Sequence, residues 1–385
     1  MLKWIQEIYD CEVITLTVDV GQSTDDLEAI KNKALQLGAT KAIVHDAKEA
    51  FATELLAMAI KANADYQGGY ALGTCLSRVI TSQIAVNVAQ EQGCKVIAHG
   101  CTGKGNDQVR FDSYITTLDA SLKVIAPVRE WGMGREEEIL YAEANNIPIS
   151  QSIENPYSYD ENMWGNACEG GDLEQIEKVV DLTDALRWCT LPQKAPDAAE
   201  LVTISFDKGV PVALNGNAMP LDKLIANANS VGGKHGIGIT EFVEDRLVGF
   251  KVREVYEHPG ASLLIMAHKK LEQLVSTRVE NEMKPLMDQK WAYLTYGAQW
   301  FEPLMHHLHA YIDDQNQKVT GEVTVELYKG NITVKAMKSP YALFDHNLMT
   351  SFEKSALFNQ NASPGFIEIY NLPQQTAHKV FQYES

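Results

Sequence analysis

No basic run, no long apolar run and no paired cysteines occur in this chain, and each absence removes a class of function. Lys and Arg number 33 against 51 Asp and Glu, a formal charge of −18. A polyanion needs a basic face, so nucleic-acid binding is not expected, and any anionic substrate must meet locally focused cations. No stretch approaches about 18 uninterrupted apolar residues, so no membrane span is expected. Trp4-Ile5-Gln6-Glu7 interrupts the apolar core that a signal peptide would need. Cys11, Cys75, Cys94, Cys101, Cys168 and Cys189 include no C-x-x-C pair and read as reduced, mostly buried thiols of a cytoplasmic protein. His306-His307-x-His309 lacks supporting ligands, and no metal site is expected there. Internal repeats and low-complexity tracts are absent as well.

What is present is an ordinary globular composition, 45% apolar and 22% charged, over 385 residues, a length that suggests two domains. In the first part strand and helix signals alternate. Apolar runs at 12–18, 41–44, 95–98 and 123–126 read as strands. Helical periodicity covers 25–37, which ends at Gly38, then 51–63, 77–92 and 135–146. Strands separated by helices imply a parallel sheet with right-handed crossovers. The chain opens on a helix with positions 2, 5, 8 and 9 as its buried face, and no strand feeds it. After Pro148 the pattern becomes α+β. Strands are expected at 202–206, 211–214, 237–243 and 247–252, and helices at 221–229, 262–278 and 285–313. A hairpin of 322–328 and 332–338 turns at Lys329-Gly330-Asn331. The tail from Asn359, rich in Asn, Gln, Pro and Ser, is expected to pack loosely or against a partner subunit.

The most informative segment runs from His99 to Phe111: His99-Gly100-Cys101-Thr102-Gly103-Lys104-Gly105-Asn106-Asp107-Gln108-Val109-Arg110-Phe111. Glycines let the backbone take φ > 0 and approach a ligand, and successive N–H groups in such a turn form an anion-binding concavity. In open α/β sheets ligands bind just past the carboxyl ends of strands, where this segment would lie. The alternative is an ordinary polar βα turn, although turns rarely carry so varied a set of hydrogen-bonding groups.

Together with this segment, Asp19-Val20-Gly21-Gln22, Tyr70-x-Leu72-Gly73-Thr74, Pro156-Tyr157-Ser158-x-Asp160-Glu161-Asn162 and Lys194-Ala195-Pro196-Asp197 resemble the argininosuccinate synthase family. So do Gly209–Gly216, Gly232–Gly238, Val255-Tyr256-Glu257-x-Pro259-Gly260 and Leu327–Asn331, in order and as far as about Gly365. The resemblance implies an α/β, parallel-sheet nucleotide-binding domain of the ATP-pyrophosphatase type over 1–149. An α+β synthase and multimerisation domain over 150–358 and a tail over 359–385 would follow, in a cytoplasmic homotetramer. It implies an ATP-dependent ligase of arginine biosynthesis that joins L-citrulline to L-aspartate and releases AMP and pyrophosphate, with Mg2+ accompanying the nucleotide. In that family the ureido oxygen attacks the α-phosphate and the aspartate amine then displaces AMP. Adenylation turns the oxygen of a poor electrophile into a good leaving group, so catalysis rests on positioning and on charge stabilisation.

Carried over residue by residue, the resemblance puts Gly100 against the nucleotide. Thr102, Asn106 and Asp107 would hold aspartate, and Tyr70, Asn106, Arg110, Ser158, Glu244 and Tyr256 would hold citrulline; Asn106, Asp107 and Arg110 carry the catalytic assignment. The Arg110 fork suits an α-carboxylate and the Asp107 carboxylate an ammonium. Singly, Tyr70 or Tyr256 fits half-buried packing, Glu244 a hairpin-turn charge and Ser158 a turn residue. Only the ordered set assigns them to a site.

Several positions depart from the family. Members begin with a strand and a Ser-Gly-Gly-Leu-Asp-Thr-Ser loop that grips pyrophosphate and feeds the helix found here at Met1-Leu2-Lys3-Trp4. The resemblance therefore implies a chain without that strand and loop, its sheet neighbours left unpaired. Cys75 and Ala167 stand where serines would contact citrulline, Leu76-Ser77-Arg78-Val79 replaces Leu-Ala-Arg-Pro, and Lys251-Val252-Arg253-Glu254 replaces Lys-Ser-Arg-Gly. Val18 replaces a small residue before Asp19. Two lost hydroxyl contacts at roughly 0.5–1.5 kcal/mol each would weaken citrulline by about tenfold or more. Glu254 adds negative charge near the entry of anionic substrates. A divergent paralogue with another ureido acceptor, or an inactive member serving as a binding or assembly subunit, are the alternatives.

Overall fold

The computed structural model describes residues 1–23, 27–147, 157–346 and 359–381. They fall into two compact units, Met1–Tyr341 and Ala342–Ser385.

The first unit begins with α1 (Leu2–Tyr9), β1 (Ile14–Asp19), α2 (Leu27–Gln36) and β2 (Lys41–Asp46). A helical stretch follows in three pieces, Lys48–Ala50, the π-helical Phe51–Leu56 and Ala57–Lys61. Next come α3 (Gly73–Glu91), β3 (Val96–Ala98), α4 (Asp107–Leu118), β4 (Lys123–Ile125) and α5 (Arg135–Ala144). The parallel strands form separate pairs, β1 with β2 and β3 with β4. In α1 only Ile5 is buried, whereas Ile8 and Tyr9 are exposed, so the face expected from positions 2, 5, 8 and 9 is narrower than its periodicity implies.

Two antiparallel sheets complete the unit. One runs in the order β10-β11-β6-β5, from β5 (Tyr157–Asn162), β6 (Gly165–Gly170), β10 (Ile239–Asp245) and β11 (Lys251–Glu257). The other holds β7 (Glu200–Asp207), β8 (Val210–Leu214), β9 (Asn217–Ala218), β12 (Gly321–Tyr328) and β13 (Asn331–Lys338). The β12–β13 turn has φ 44° at Lys329 and 83° at Gly330, a primed turn that matches strand twist. Helices α6 (Leu221–Lys234), α7 (Pro259–Val275), α8 (Arg278–Tyr296) and α9 (Pro303–Asn316) pack beside them.

One core joins the parallel and antiparallel parts. Phe51, Leu56, Leu72, Leu76 and Val79 belong to the same buried cluster as Trp164, Leu224, Leu264, Trp291 and Val323. The expected boundary at 149/150 lies outside the described residues. Trp164, fully buried at the β5–β6 turn, donates its indole N–H to the Ala71 carbonyl at 2.9 Å and so fixes that hairpin against the start of α3.

One expectation changes. The helical pattern at 285–313 is two helices, broken after Tyr296 where Ala298 takes φ 58°. The tail from Asn359, expected to pack loosely or against a partner subunit, carries α10 (Ser363–Phe381) in the second unit, a helix without a buried residue.

Candidate active site

A cavity of about 400 Å3 lies between the loop after β3, the N-terminal turns of α3 and α4, and one face of the β10-β11-β6-β5 sheet. Tyr70, Gly100, Thr102, Asn106, Asp107, Arg110, Ser158, Glu244 and Tyr256 all line it. Apart from Tyr159, which also lines it, the wall from the sheet follows the strand period of two. Ser158 and Asp160, Ala167 and Glu169, and Glu254 and Tyr256 are alternate residues that face the same space. Register places Asp160 opposite Ala167 and Ala167 opposite Tyr256. Val252 pairs with Glu244 across β10 and β11 but does not line the cavity.

Helix α3 begins at Gly73, four residues before its expected start. Leu72 takes the left-handed conformation, φ 65°, and the Tyr70 hydroxyl accepts the Thr74 N–H at 3.0 Å, satisfying a first-turn donor. Thr74 and Arg78, one turn apart, then both face the cavity. The Cys75 thiol, fully buried, reaches the same hydroxyl at 3.7 Å, and burial pushes its pKa up to about 12, so it stays a thiol. Tyr70 stacks on Tyr256 with ring centroids 4.4 Å apart.

The Gly-rich loop corrects one expectation. None of Gly100, Gly103 and Gly105 takes φ > 0. Their value is room: a Cβ on Gly100 would meet only Met1 Sδ, at 3.7 Å, and one on Gly103 nothing within 4 Å. His99 accepts the Cys101 N–H at Nδ1 (3.2 Å), so its Nε2 carries the proton directed at Asp112, 2.6 Å away.

Asp107 opens α4 between two guanidiniums. Its Oδ1 accepts from Arg110 Nη1 at 2.9 Å and its Oδ2 from Arg78 Nε at 2.9 Å. Burial alone would raise its pKa, but Arg78 and Arg110 outweigh it and hold the carboxyl below its ordinary range. Arg78 also pairs with Asp160 at 2.5 Å, although burial keeps that carboxyl above its usual pKa. Buried Asn106 precedes the helix with its side-chain amide committed. Its Nδ2 donates to Glu244 Oε1 (3.1 Å) and Tyr296 Oη (2.9 Å), and its Oδ1 accepts the Leu247 N–H (2.8 Å). Glu244 further accepts from the hydroxyls of Tyr256 and Tyr296.

Arg78, Asp160, Glu169, Arg246 and Tyr296 were not singled out from the sequence. The first four line the cavity, and Tyr296 hydrogen-bonds its Asn106 and Glu244. Spacing carried part of the signal: Arg78 lies four residues after Thr74, and Asp160 two after Ser158. Tyr296, at the end of α8, had none. Glu254 Oε1 accepts from Arg246 Nη2 at 2.7 Å, a guanidinium it shares with Glu169.

This combination of a parallel α/β part, a glycine-rich loop and a cavity of paired charges defines an α/β enzyme for small, charged substrates. Residues 1–148 match the family model described as the arginosuccinate synthase N-terminal HUP domain, and residues 157–377 match the arginosuccinate synthase C-terminal domain. The argininosuccinate synthase of Brevibacillus brevis is 45% identical over 384 residues, 98% of this chain and 90% of the relative. That of Pyrococcus furiosus is 46% identical over 380 residues, covering 99% and 91%. For Symbiobacterium thermophilum the identity is 45% over 372 residues, covering 97% and 92%. The chain belongs to the argininosuccinate synthase family.

Proposed function

We propose that the cavity joins L-citrulline to L-aspartate using ATP, giving argininosuccinate, AMP and pyrophosphate. The observation that carries this reading is convergence: residues drawn from Tyr70 to Tyr256 line one cavity, with the buried Arg110 and the half-buried Arg78 at hand for carboxylates. Arg110 is assigned to the citrulline α-carboxylate. Asp107, with Thr102 and Asn106, is assigned to aspartate. Pinned between Arg78 and Arg110, Asp107 stays anionic and suits the aspartate ammonium. Gly100 is assigned to the nucleotide, and Tyr70, Asn106, Ser158, Glu244 and Tyr256 complete the citrulline side.

Mg2+ is assigned to the nucleotide, held by phosphate oxygens and water as is usual for this ion. Among the described residues no three His, Cys, Asp or Glu side chains converge as a metal site. No helix among them is long and apolar enough to cross a membrane. A cytoplasmic homotetramer, and the division into 1–149, 150–358 and 359–385, complete the proposal.

Pyrophosphate release with ATP, aspartate and a panel of ureido acids tests it. Citrulline is expected to give the highest rate, and citrulline at background would refute the assignment. Ala167, which lines the cavity where the family resemblance puts a serine, favours a second reading, another ureido acceptor, which the same panel would reveal as a faster substrate; Cys75 lies behind the lining, against the Tyr70 hydroxyl. If citrulline is the substrate, Cys75→Ser restores a hydroxyl beside Tyr70. It should lower the citrulline KM about two- to tenfold, as steady-state kinetics would show.

A further inference from the structure

On the citrulline side of the cavity, one hydroxyl faces two carboxylates. Tyr256 Oη lies within hydrogen-bonding distance of Glu244 Oε2 and 2.9 Å from Glu254 Oε2. Both carboxylates are buried, Glu244 at 4% exposure and Glu254 at 7%. A hydroxyl has a single proton, so it can donate to only one of them at a time.

The surroundings decide which one. Glu244 also accepts from Asn106 Nδ2, and the Tyr296 hydroxyl is shared between its Oε1 and the Asp245 carbonyl at 2.8 Å. The charged groups that face Glu254 are Glu244 from β10, Arg246 from the β10–β11 turn and Glu169 from β6. Arg246 is shared, since it pairs with Glu169 as well as Glu254. The same guanidinium reaches the Lys104 carbonyl at 3.4 Å, and the Leu247 N–H beside it donates to Asn106. Glu254 is thereby held between the citrulline wall and the loop assigned to aspartate.

Resting on the function proposed above, we propose that Glu254 is a positioning residue for the ureido acid: as a neutral carboxyl it donates to Tyr256 Oη, Tyr256 donates to Glu244, and Glu244 is left as the anionic end of the chain, suited to the substrate ammonium. Nothing is consumed in this arrangement, because one proton resides on Glu254 and one on Tyr256. Burial and Glu244 outweigh Arg246 and raise the Glu254 pKa to about 7. Above that pH two anionic carboxylates share the Tyr256 proton, Glu244 loses a full donor, and an incoming α-carboxylate meets an extra negative charge. Citrulline binding therefore weakens as pH rises through neutrality, and the effect belongs to KM rather than kcat.

The test is citrulline KM and kcat of the full chain from about pH 6 to about pH 9, with saturating ATP and aspartate, and citrulline affinity by calorimetry over the same range. The wild type is expected to show KM rising at least about threefold around pH 7. Glu254→Gln cannot ionise and its amide can still donate to Tyr256. Its KM should stay flat, within about twofold of the wild-type low-pH value. Glu254→Asp keeps a titratable carboxyl and should keep the step at a higher KM. A wild-type profile with no step, or a step that persists in Glu254→Gln while citrulline still binds, overturns this inference and leaves the proposed function standing. Citrulline that neither binds nor turns over in the wild type overturns both.

Discussion

Replacing Arg110 by alanine is expected to raise the citrulline KM by a factor between about 30 and several thousand, the equivalent of about 2–5 kcal/mol for one partner of a buried charge pair. Arg110 is only 3% exposed, and its guanidinium lies over the Tyr296 ring, 5.1 Å from the centroid. Nη1 is committed to Asp107 and Nη2 makes a long contact of 3.4 Å with the Tyr296 carbonyl, while Nε has no partner among the described residues. A buried donor without an acceptor costs about 1–3 kcal/mol, a cost that an incoming carboxylate would relieve. Asp107 keeps Arg78 in the variant, so the aspartate KM should move much less. Lysine should not rescue the loss, because a point charge lacks the guanidinium fork. Initial rates with each substrate varied in turn decide the matter. An unchanged citrulline KM removes Arg110 from the site, and equal losses for both substrates indicate general damage.

The second large effect is structural. Glu257, 1% exposed at the end of β11, gathers the backbone N–H groups of Arg187 (2.9 Å), Trp188 (2.7 Å) and Cys189 (2.7 Å) and the side-chain amide of Asn166 (2.8 Å). Glu257→Ala strands these donors together and opens a void beside Asn166. At about 1–3 kcal/mol for each donor that stays buried, a loss of about 3–6 kcal/mol is expected, a large part of the roughly 5–15 kcal/mol that holds a typical domain folded. Glu257→Gln retains one acceptor oxygen and should lose about half as much. Urea unfolding of the three proteins measures both. A Glu257→Ala variant within about 1 kcal/mol of wild type would show that water replaces the carboxylate without cost.

What could be read from the sequence follows a physical boundary. Elements that bury an apolar face announced themselves, including β7, α6, α7 and the β12–β13 hairpin. Helix α4 did not, because its first turns carry Asp107, Gln108 and Arg110 for the cavity, and its buried apolar side chains, Tyr114 and Ile115, come late. The β5–β6 hairpin carries no such signal for the same reason: its inner face is Ser158, Asp160, Ala167 and Glu169, without apolar alternation. Strand β11 runs over 251–257 where the pattern predicts 247–252, because Glu254 and Glu257 look like surface charges. Both are buried, and their partners include Arg246 around a turn and N–H groups some 70 positions away. Residues of the glycine-rich loop were legible because their chemistry is concentrated locally. Arg246 and Tyr296 were not, since only folding brings them to Asn106 and Glu244.

That dispersal has a bearing on how the protein is made. The junction of Asn106, Glu244 and Tyr296 joins residues 138 and 190 positions apart. During synthesis the glycine-rich loop leaves the ribosome long before Glu244 and Tyr296 have been translated, and closing such long chain segments is slow relative to local helix formation. A nascent fragment ending before Tyr296 lacks the hydroxyl that ties Asn106 to Glu244, so its pocket is unfinished. Substrates can therefore stabilise the completed protein by mass action, but they cannot template its early folding.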